Sequence, residues 1–565
     1  MSHPWFFHHL SEDPFIYPVT LNLLKVRLFV PAGLDLACSV VSSDRYEPPG
    51  RERPVTMERV GSAGAYEIYE AVIEAPMRRS RYLFYAENPG GMYAWYGERG
   101  ISENRERAGS FQIPYIHRPR AFEFPSWTKG SIVYQIFPSS FHPDGLKGIT
   151  ERLYYLRELG VNLVYMTPIF DSPSAHKYDT TDYYMIDENF GSMEDLKELV
   201  QVAHRNGIRV ILDAVFNHSG DKFFAFQDVM EKGEASSYTK WFHIDSFPVV
   251  QSPVPNYETF GTHLAYMPKL NLDHPAAAEY MIDVAKYWVK EAGIDGWRFD
   301  VSNEVSPSFW RRVRDELKAL NPELLLIGEV MHASGQWLRG DMFDGAMNYL
   351  LRDAMLSFFA EQTVGPRGFM EQLLHLEALY NDQANLAMFQ LIGSHDTERF
   401  LTACGRGRGW DKEATAKARL KLAVFFQMTY LGIPMIYYGD EVGMEGKTDP
   451  DCRRPMIWES KEQSSEMLEW YRTLISSRKS RKALTEGTYR NWFMDEPRNL
   501  LGYTRRSGRD VVGMVINNSP NRYELELPAF RQDKANLIEV LSGEAVIGGG
   551  AIRITIEPFG CLMLE

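Results

Sequence analysis

From residue 132 onward the chain repeats one rhythm, a short apolar run followed by a segment of helical spacing. Eight such runs stand at 132–138, 161–168, 208–218, 293–300, 324–330, 342–349, 386–396 and 433–441. Short, nearly continuous apolar runs mark parallel strands that are covered on both faces. Eight of them in alternation with helices predict an α/β fold, a (β/α)8 TIM barrel. Apolar residues at i, i+3 or i+4 over 150–159, 193–206 and 277–293 supply helices before the second, third and fourth strands. Residues 219–272 intervene between the third strand and its helix, too many for a simple loop. An insertion of that size at the catalytic face of a barrel builds part of a binding cleft.

The flanks read differently. Residues 23–30 and 65–75 alternate apolar and polar, and 81–87 runs into a Pro-Gly-Gly turn, so 1–122 is predicted as a separate β-sandwich. A Pro- and Arg-rich linker at 113–125 leads to the barrel, expected over 123–478 with an inserted domain at 219–272. Strand-like pieces at 503–508, 510–519, 523–528 and 552–558 predict a small antiparallel sandwich over 479–565.

Charge narrows the function. The net charge is −14 over 565 residues and no long basic run is present, which argues against nucleic acid or an anionic membrane as partner and favours a neutral ligand. No stretch reaches the roughly 18 apolar residues of a membrane span, and the first residues have neither a basic region nor an apolar core, so a cytoplasmic location is expected. Cys38, Cys404, Cys452 and Cys561 lie far apart without CxxC spacing. They read as reduced thiols, with neither a zinc site nor a disulfide framework.

Three carboxylates, Asp300, Glu329 and Asp396, each close the apolar part of such a run. Barrel strands deliver their terminal residues to one face, so these acids are expected to converge. A retaining glycosidase needs a carboxylate nucleophile and a carboxylic acid roughly 5 Å apart, and Asp300 and Glu329, on adjacent strands, meet that demand. Arg298, two residues before Asp300 on the same face of its strand, is placed to keep it ionised. Burial beside another carboxylate helps Glu329 keep its proton, and Asp396, beside His395, is placed to bind sugar hydroxyls. Any one buried Asp at a strand end serves equally well as a cap or ion-pair partner; three together, with Arg and His adjacent, point to a site. A metal hydrolase built on Asp213, His218, Asp300 and His395 is the rival, but no HxH or HExxH spacing occurs and Arg298 would repel a cation.

These segments carry a resemblance. DAVFNH at 213–218, GWRFDVSNE at 296–304, GEV at 328–330 and GSHD at 393–396 resemble, in order, the four signature regions of the α-amylase superfamily of glycoside hydrolases. MPKLN at 267–271, HKYDTTDYY at 176–184 and YYGDEVGM at 437–444 are similar to the neopullulanase, cyclomaltodextrinase and maltogenic amylase group. The resemblance implies Asp300 as nucleophile, Glu329 as general acid/base and Asp396 as transition-state stabiliser. It implies that Arg298, His218 and His395 hold the sugar at the cleavage subsite, that Tyr178 stacks beneath it, that Glu304 borders the leaving-group side and that Asp213 and Asn217 support the site. On the residues alone, Asp213 reads as a brace for Arg298, and Tyr437 and Tyr438 read as core.

The activity implied is hydrolysis of α-1,4 bonds in cyclomaltodextrins, maltooligosaccharides and pullulan. A glucanotransferase is the enzymic alternative, and a non-catalytic glycan-binding chain the alternative from another class. The group's N-terminal sandwich pairs two subunits, implying a homodimer through 1–122. Three departures stand out. Residues 137–149 are short where the family has an acidic calcium loop, and keep only Asp144 as an acid, so neither metal nor other cofactor is expected. Met331 replaces the usual Trp after the general acid, leaving the leaving-group subsites to a thioether, and Ala175 replaces an Asn before His176.

Overall fold

The computed structural model describes residues 5–565 except 49, 118–121, 407–411, 532–535 and 548–550; four residues of the expected linker, 118–121, lie outside the described residues. The chain divides into two compact units. One holds Met1–Glu123, Gly335–Asp341 and Val364–Asn385; the other holds Phe124–Ser334, Met342–Thr363 and Leu386–Glu565.

In the second unit all eight predicted strands form: Val133–Ile136, Leu163–Met166, Arg209–Ala214, Gly296–Phe299, Leu325–Gly328, Gly345–Ala346, Phe389–Leu391 and Ile433–Tyr437. They pair in parallel as one eight-stranded sheet. A parallel bridge between Met347 and Phe389 joins the sixth strand's end to the seventh and closes the barrel. Inward side chains such as Val133, Tyr165, Ile211, Leu325, Phe389 and Met435 fill the interior as a packed core. At the join of the fourth and fifth strands only glycine fits, because a Cβ on Gly296 would lie 2.1 Å from the Leu325 carbonyl oxygen.

Helix signals act as read. Met193–Arg205 starts with a reciprocal capping box between Ser192 and Asp195, and Pro275–Ala292 starts on proline, whose missing N–H costs nothing there. The 219–272 insertion folds as helix Phe224–Lys232 and irregular segments, and returns to the third strand through a bridge between His218 and Lys269. Beyond the barrel, Thr488–Asp495, Leu500–Ser507, Asp510–Asn517 and Cys561–Leu564 form an antiparallel sheet, with Tyr523–Pro528 paired to Ala551–Ile556. A short helix, Lys482–Glu486, precedes them inside 479–565, where only strands were expected.

In the first unit, a four-stranded and a six-stranded antiparallel sheet enclose a core that includes Leu24, Val26, Leu28, Val30, Val40 and Phe84. The strand Leu23–Pro31 departs from simple alternation, because Lys25 and Arg27 on its other face are buried too. Arg27 donates to the carbonyls of Ala378 and Tyr380, at the end of helix Pro366–Ala378, and Ile68 packs on Leu374 and Ala378 of that helix. Among the described residues no helix is long and apolar enough to cross a membrane.

Candidate active site

Asp213 lies within the third strand, Arg298 within the fourth, and Asp300 and Glu329 are the first residues beyond the fourth and fifth. Register sets Asp213 beside Arg298 and Arg298 beside Ile327. Because alternate strand residues share a face, Arg298 and Asp300 emerge on the same side. Three predicted acids therefore meet around the Arg298 guanidinium. Arg298 Nη1 donates to both oxygens of Asp213 at 2.8 and 2.9 Å and to Asp300 Oδ1 at 2.8 Å, while Nη2 is 2.5 Å from Glu329 Oε1. Asp213 is the brace for Arg298, and it also accepts from the hydroxyls of Tyr165 and Tyr178 at 2.6 and 3.0 Å.

One cation faces three carboxylates here, all out of water. Burial, with the neighbouring Glu329 charge, holds Asp300 well above the usual carboxylate range despite Arg298. Burial likewise pushes Asp213 up to about 6 against the pull of Arg298. The expected role of Arg298, holding Asp300 ionised, is thus divided among three acids.

The turn after the fourth strand is strained and tied to Glu329. Val301, a β-branched residue, has φ +44°, a left-handed conformation such residues rarely adopt. It is held there by its N–H donating to Glu329 Oε2 at 3.0 Å, by Ser302 N donating to the Glu329 carbonyl, and by Glu329 N donating to Ser302 Oγ. The same bonds fix the Glu329 carboxylate relative to Asp300.

Around this centre lies a cleft of about 420 Å³. Tyr178, His218, Asp300, Glu304, Glu329, Met331, His395 and Asp396 all line it. Tyr178 Oη is 2.6 Å from His395 Nε2, and His395 Nδ1 meets Gln135 Nε2 at 2.9 Å. Asp396 lies 3.3 Å from His395 Nε2 and accepts from Arg453 Nη2. Burial lowers His218 to about 3 and His395 well below its ordinary value, so both rings are neutral near pH 7. Met331 is half exposed on the wall, at 52%. Asp213, Asn217 and Arg298 are the predicted residues outside the lining; the Asn217 amide oxygen accepts from Lys269 Nζ at 2.6 Å. Tyr437 and Tyr438 are fully buried, with the Arg399 guanidinium over both rings.

Sequence reasoning missed several lining residues. Phe260 stacks on His218 with ring centroids 4.7 Å apart, and Leu264 and Tyr266 continue that wall up to Met267 of the MPKLN segment. Asp449 and Arg453 close another side, 3.0 Å apart. Arg453 ends the short 3-10 turn Asp451–Arg453 and the others lie in irregular segments, so none has a strand or helix period to flag it.

A closed (β/α)8 barrel with paired carboxylates at adjacent strand ends, in a polar-and-aromatic cleft, defines a glycoside hydrolase. The alpha amylase catalytic domain model matches residues 135–488, and the alpha amylase N-terminal ig-like domain model matches 6–117. The chain belongs to the alpha-amylase family. It is 43% identical to neopullulanase 2 of Thermoactinomyces vulgaris, over 98% of each chain. It is 39% identical to a cyclomaltodextrinase of Geobacillus thermopakistaniensis, again over 98% of each. A solved cyclomaltodextrinase superposes with a TM-score of 0.93 at 35% identity, covering 99% of each chain.

Proposed function

We propose that this enzyme hydrolyses α-1,4-glucosidic bonds in cyclomaltodextrins, maltooligosaccharides and pullulan by double displacement with retention of configuration. The observation that carries the mechanism is the single Arg298 guanidinium holding Asp300 and Glu329 on its two terminal nitrogens. That bridging suits the roughly 5 Å between carboxyls of a retaining enzyme better than the roughly 6.5–9.5 Å that leaves room for an inverting water.

Burial and the neighbouring Glu329 charge raise Asp300, so the coupled pair holds one proton between its two carboxyls, and the reaction starts from the state that carries it on Glu329. Glu329 delivers it to the departing oxygen as charged Asp300 bonds to the anomeric carbon. Glu329, now a carboxylate, then takes a proton from water, whose oxygen displaces Asp300. Asp396, at the cleft edge between His395 and Arg453, binds sugar hydroxyls as positive charge grows on the ring. His218, His395 and Tyr178 hold that sugar, while Glu304 and Met331 border the leaving group. Asp213 and Asn217 act from behind. The chemistry runs on side chains alone and needs no cofactor.

We further read the enzyme as a homodimer formed through 1–122 and as cytoplasmic, the latter supported by four cysteines without a disulfide. Light scattering at micromolar concentration is expected to give twice the chain mass; a monomer would contradict the dimer.

The test of function is initial rates on β-cyclodextrin, maltotriose, pullulan and soluble starch, with products followed by chromatography and the anomer released followed by proton NMR. Fast cyclodextrin opening with α-configured products is expected. Transfer products in place of free sugars would make the enzyme a glucanotransferase, and binding without product would make it a non-catalytic glycan binder.

A further inference from the structure

We propose that Lys269 is a positioning residue that ties the leaving-group wall to the cleavage site and sets the tautomer of His218. This rests on the α-glucan reading above. The insertion returns to the barrel at Lys269, which bridges to His218; Ser219 N donates to the Pro268 carbonyl and Leu270 N to the Asn217 carbonyl. The lysine backbone is thereby fixed beside the third strand, and its side chain is only 16% exposed. Its ammonium donates to Asn217 Oδ1 at 2.6 Å and to Glu304 Oε2 at 3.1 Å.

An ammonium has donors and no acceptor, so the Asn217 amide must turn its oxygen to Lys269. Its NH2 then faces His218 Nδ1, 3.3 Å away. With Nδ1 accepting, the ring proton stays on Nε2, which donates to the Tyr178 carbonyl at 3.0 Å. The hydrogen bonds run in one direction, from Lys269 through Asn217 and His218 to Tyr178. The same ammonium holds Glu304, whose side chain is 44% exposed on the cleft wall. Without it the amide is free to turn over, the tautomer of His218 is left to the Tyr178 carbonyl alone and Glu304 loses its anchor. An ordinary surface ion pair would join two groups with no third contact; this lysine is shielded and reaches Glu304 on the cleft wall directly and His218 through Asn217.

The test compares Lys269→Met, Lys269→Arg, Glu304→Gln and the Met/Gln double variant on two substrates. Maltohexaose places sugars against Glu304, and an aryl α-maltoside places none there. Lys269→Met is expected to lower kcat/KM on maltohexaose by about ten- to a hundredfold, as expected for losing a hydrogen bond to a charged group, and by clearly less on the aryl maltoside. Lys269→Arg should recover most of the loss, and the double variant should be no worse than Lys269→Met alone. Nitrogen-15 NMR of His218 should show the Nε2-protonated tautomer in the parent and a mixture in Lys269→Met. Equal losses on both substrates, additive effects in the double variant or an unchanged His218 tautomer would overturn the inference. A parent enzyme inactive on both substrates would strike the α-glucan reading instead, leaving the tautomer measurement to decide the role of Lys269.

Discussion

Two buried arginines, one in each unit, show what separates a stabilising ion network from a reactive one. Arg27 and Arg298 are 1% and 0% exposed, and each bridges carboxylates. Around Arg27 the charges balance: Arg27 and Lys25 face Glu70 and Asp382, with contacts of 2.7–3.4 Å, and the arginine also donates to backbone carbonyls. Burial works against the Glu70 charge, but Arg27 and Lys25 outweigh it and bring this carboxyl down to about 2. Around Arg298 one cation serves Asp213, Asp300 and Glu329, and burial wins at Asp300 and Asp213. Burial is common to both places; the count of cations per carboxylate decides whether an acid stays charged or keeps a proton. Surplus acid is costly in a fold and useful in a catalyst.

The comparison can be broken first at its reactive end. Glu329→Gln is expected to lower turnover of β-cyclodextrin by about 10³–10⁵-fold, the scale of losing one member of a catalytic unit, while circular dichroism stays that of the parent. Activity above a tenth of the parent's would remove Glu329 from the chemistry.

At the balanced end, Glu70→Gln leaves two buried cations with one carboxylate. It is expected to cost about 3–5 kcal/mol in urea unfolding, with kcat/KM of the folded enzyme within about twofold of the parent. A neutral effect on stability would mean that the Arg27 network does not hold the N-terminal unit.

The pH dependence sharpens the contrast, because the two networks have opposite sign. Glu70 has a folded value below its unfolded one, so its contribution is full above about pH 4.5 and lost as pH falls towards 2. Asp213 is raised, so its ionisation penalises the fold as pH rises from about 4 through 6. Stability measured against pH should therefore show the Glu70→Gln deficit shrinking in acid. A deficit that grew on acidification would reverse the assignment.

The smallest effect concerns His9, which burial holds neutral at about 4 while its ring nitrogens bond the Arg27 carbonyl and the Tyr82 hydroxyl. Between pH 6.5 and 5 the unfolded chain takes up the proton first, so stability should fall by about 1–2 kcal/mol from this group. His9→Gln should flatten that slope; an unchanged slope would place the acid sensitivity elsewhere.

How much of this was legible in the sequence follows from where periodicity reaches. All eight barrel strands stood at the expected positions, since a strand buried on both faces has no choice but to be apolar. The sixth, Gly345–Ala346, is only two residues long in the structure, and glycine and alanine carry little apolar signal of their own. Asp300, Glu329 and Asp396 were legible because each closes such a run. Phe260, Tyr266 and Arg453 were not, because irregular segments and a single 3-10 turn place side chains by local contacts that leave no repeat. Lys25 and Arg27 read as the exposed face of an alternating strand; only the helix from later in the chain that accepts Arg27's hydrogen bonds explains their burial. Asp213 was legible as a brace for Arg298, but the approach of Glu329 to the same guanidinium was not, because spacing along one strand says nothing of a residue on the next.

The most direct test is the unfolding free energy of Asp300→Asn at pH 7, taken on the same preparation as its turnover. If surplus buried charge is what makes this site reactive, the variant should be more stable than the parent by about 1–2 kcal/mol and turn over several orders of magnitude more slowly. A variant that loses stability as Glu70→Gln does, or keeps its turnover, would contradict the account.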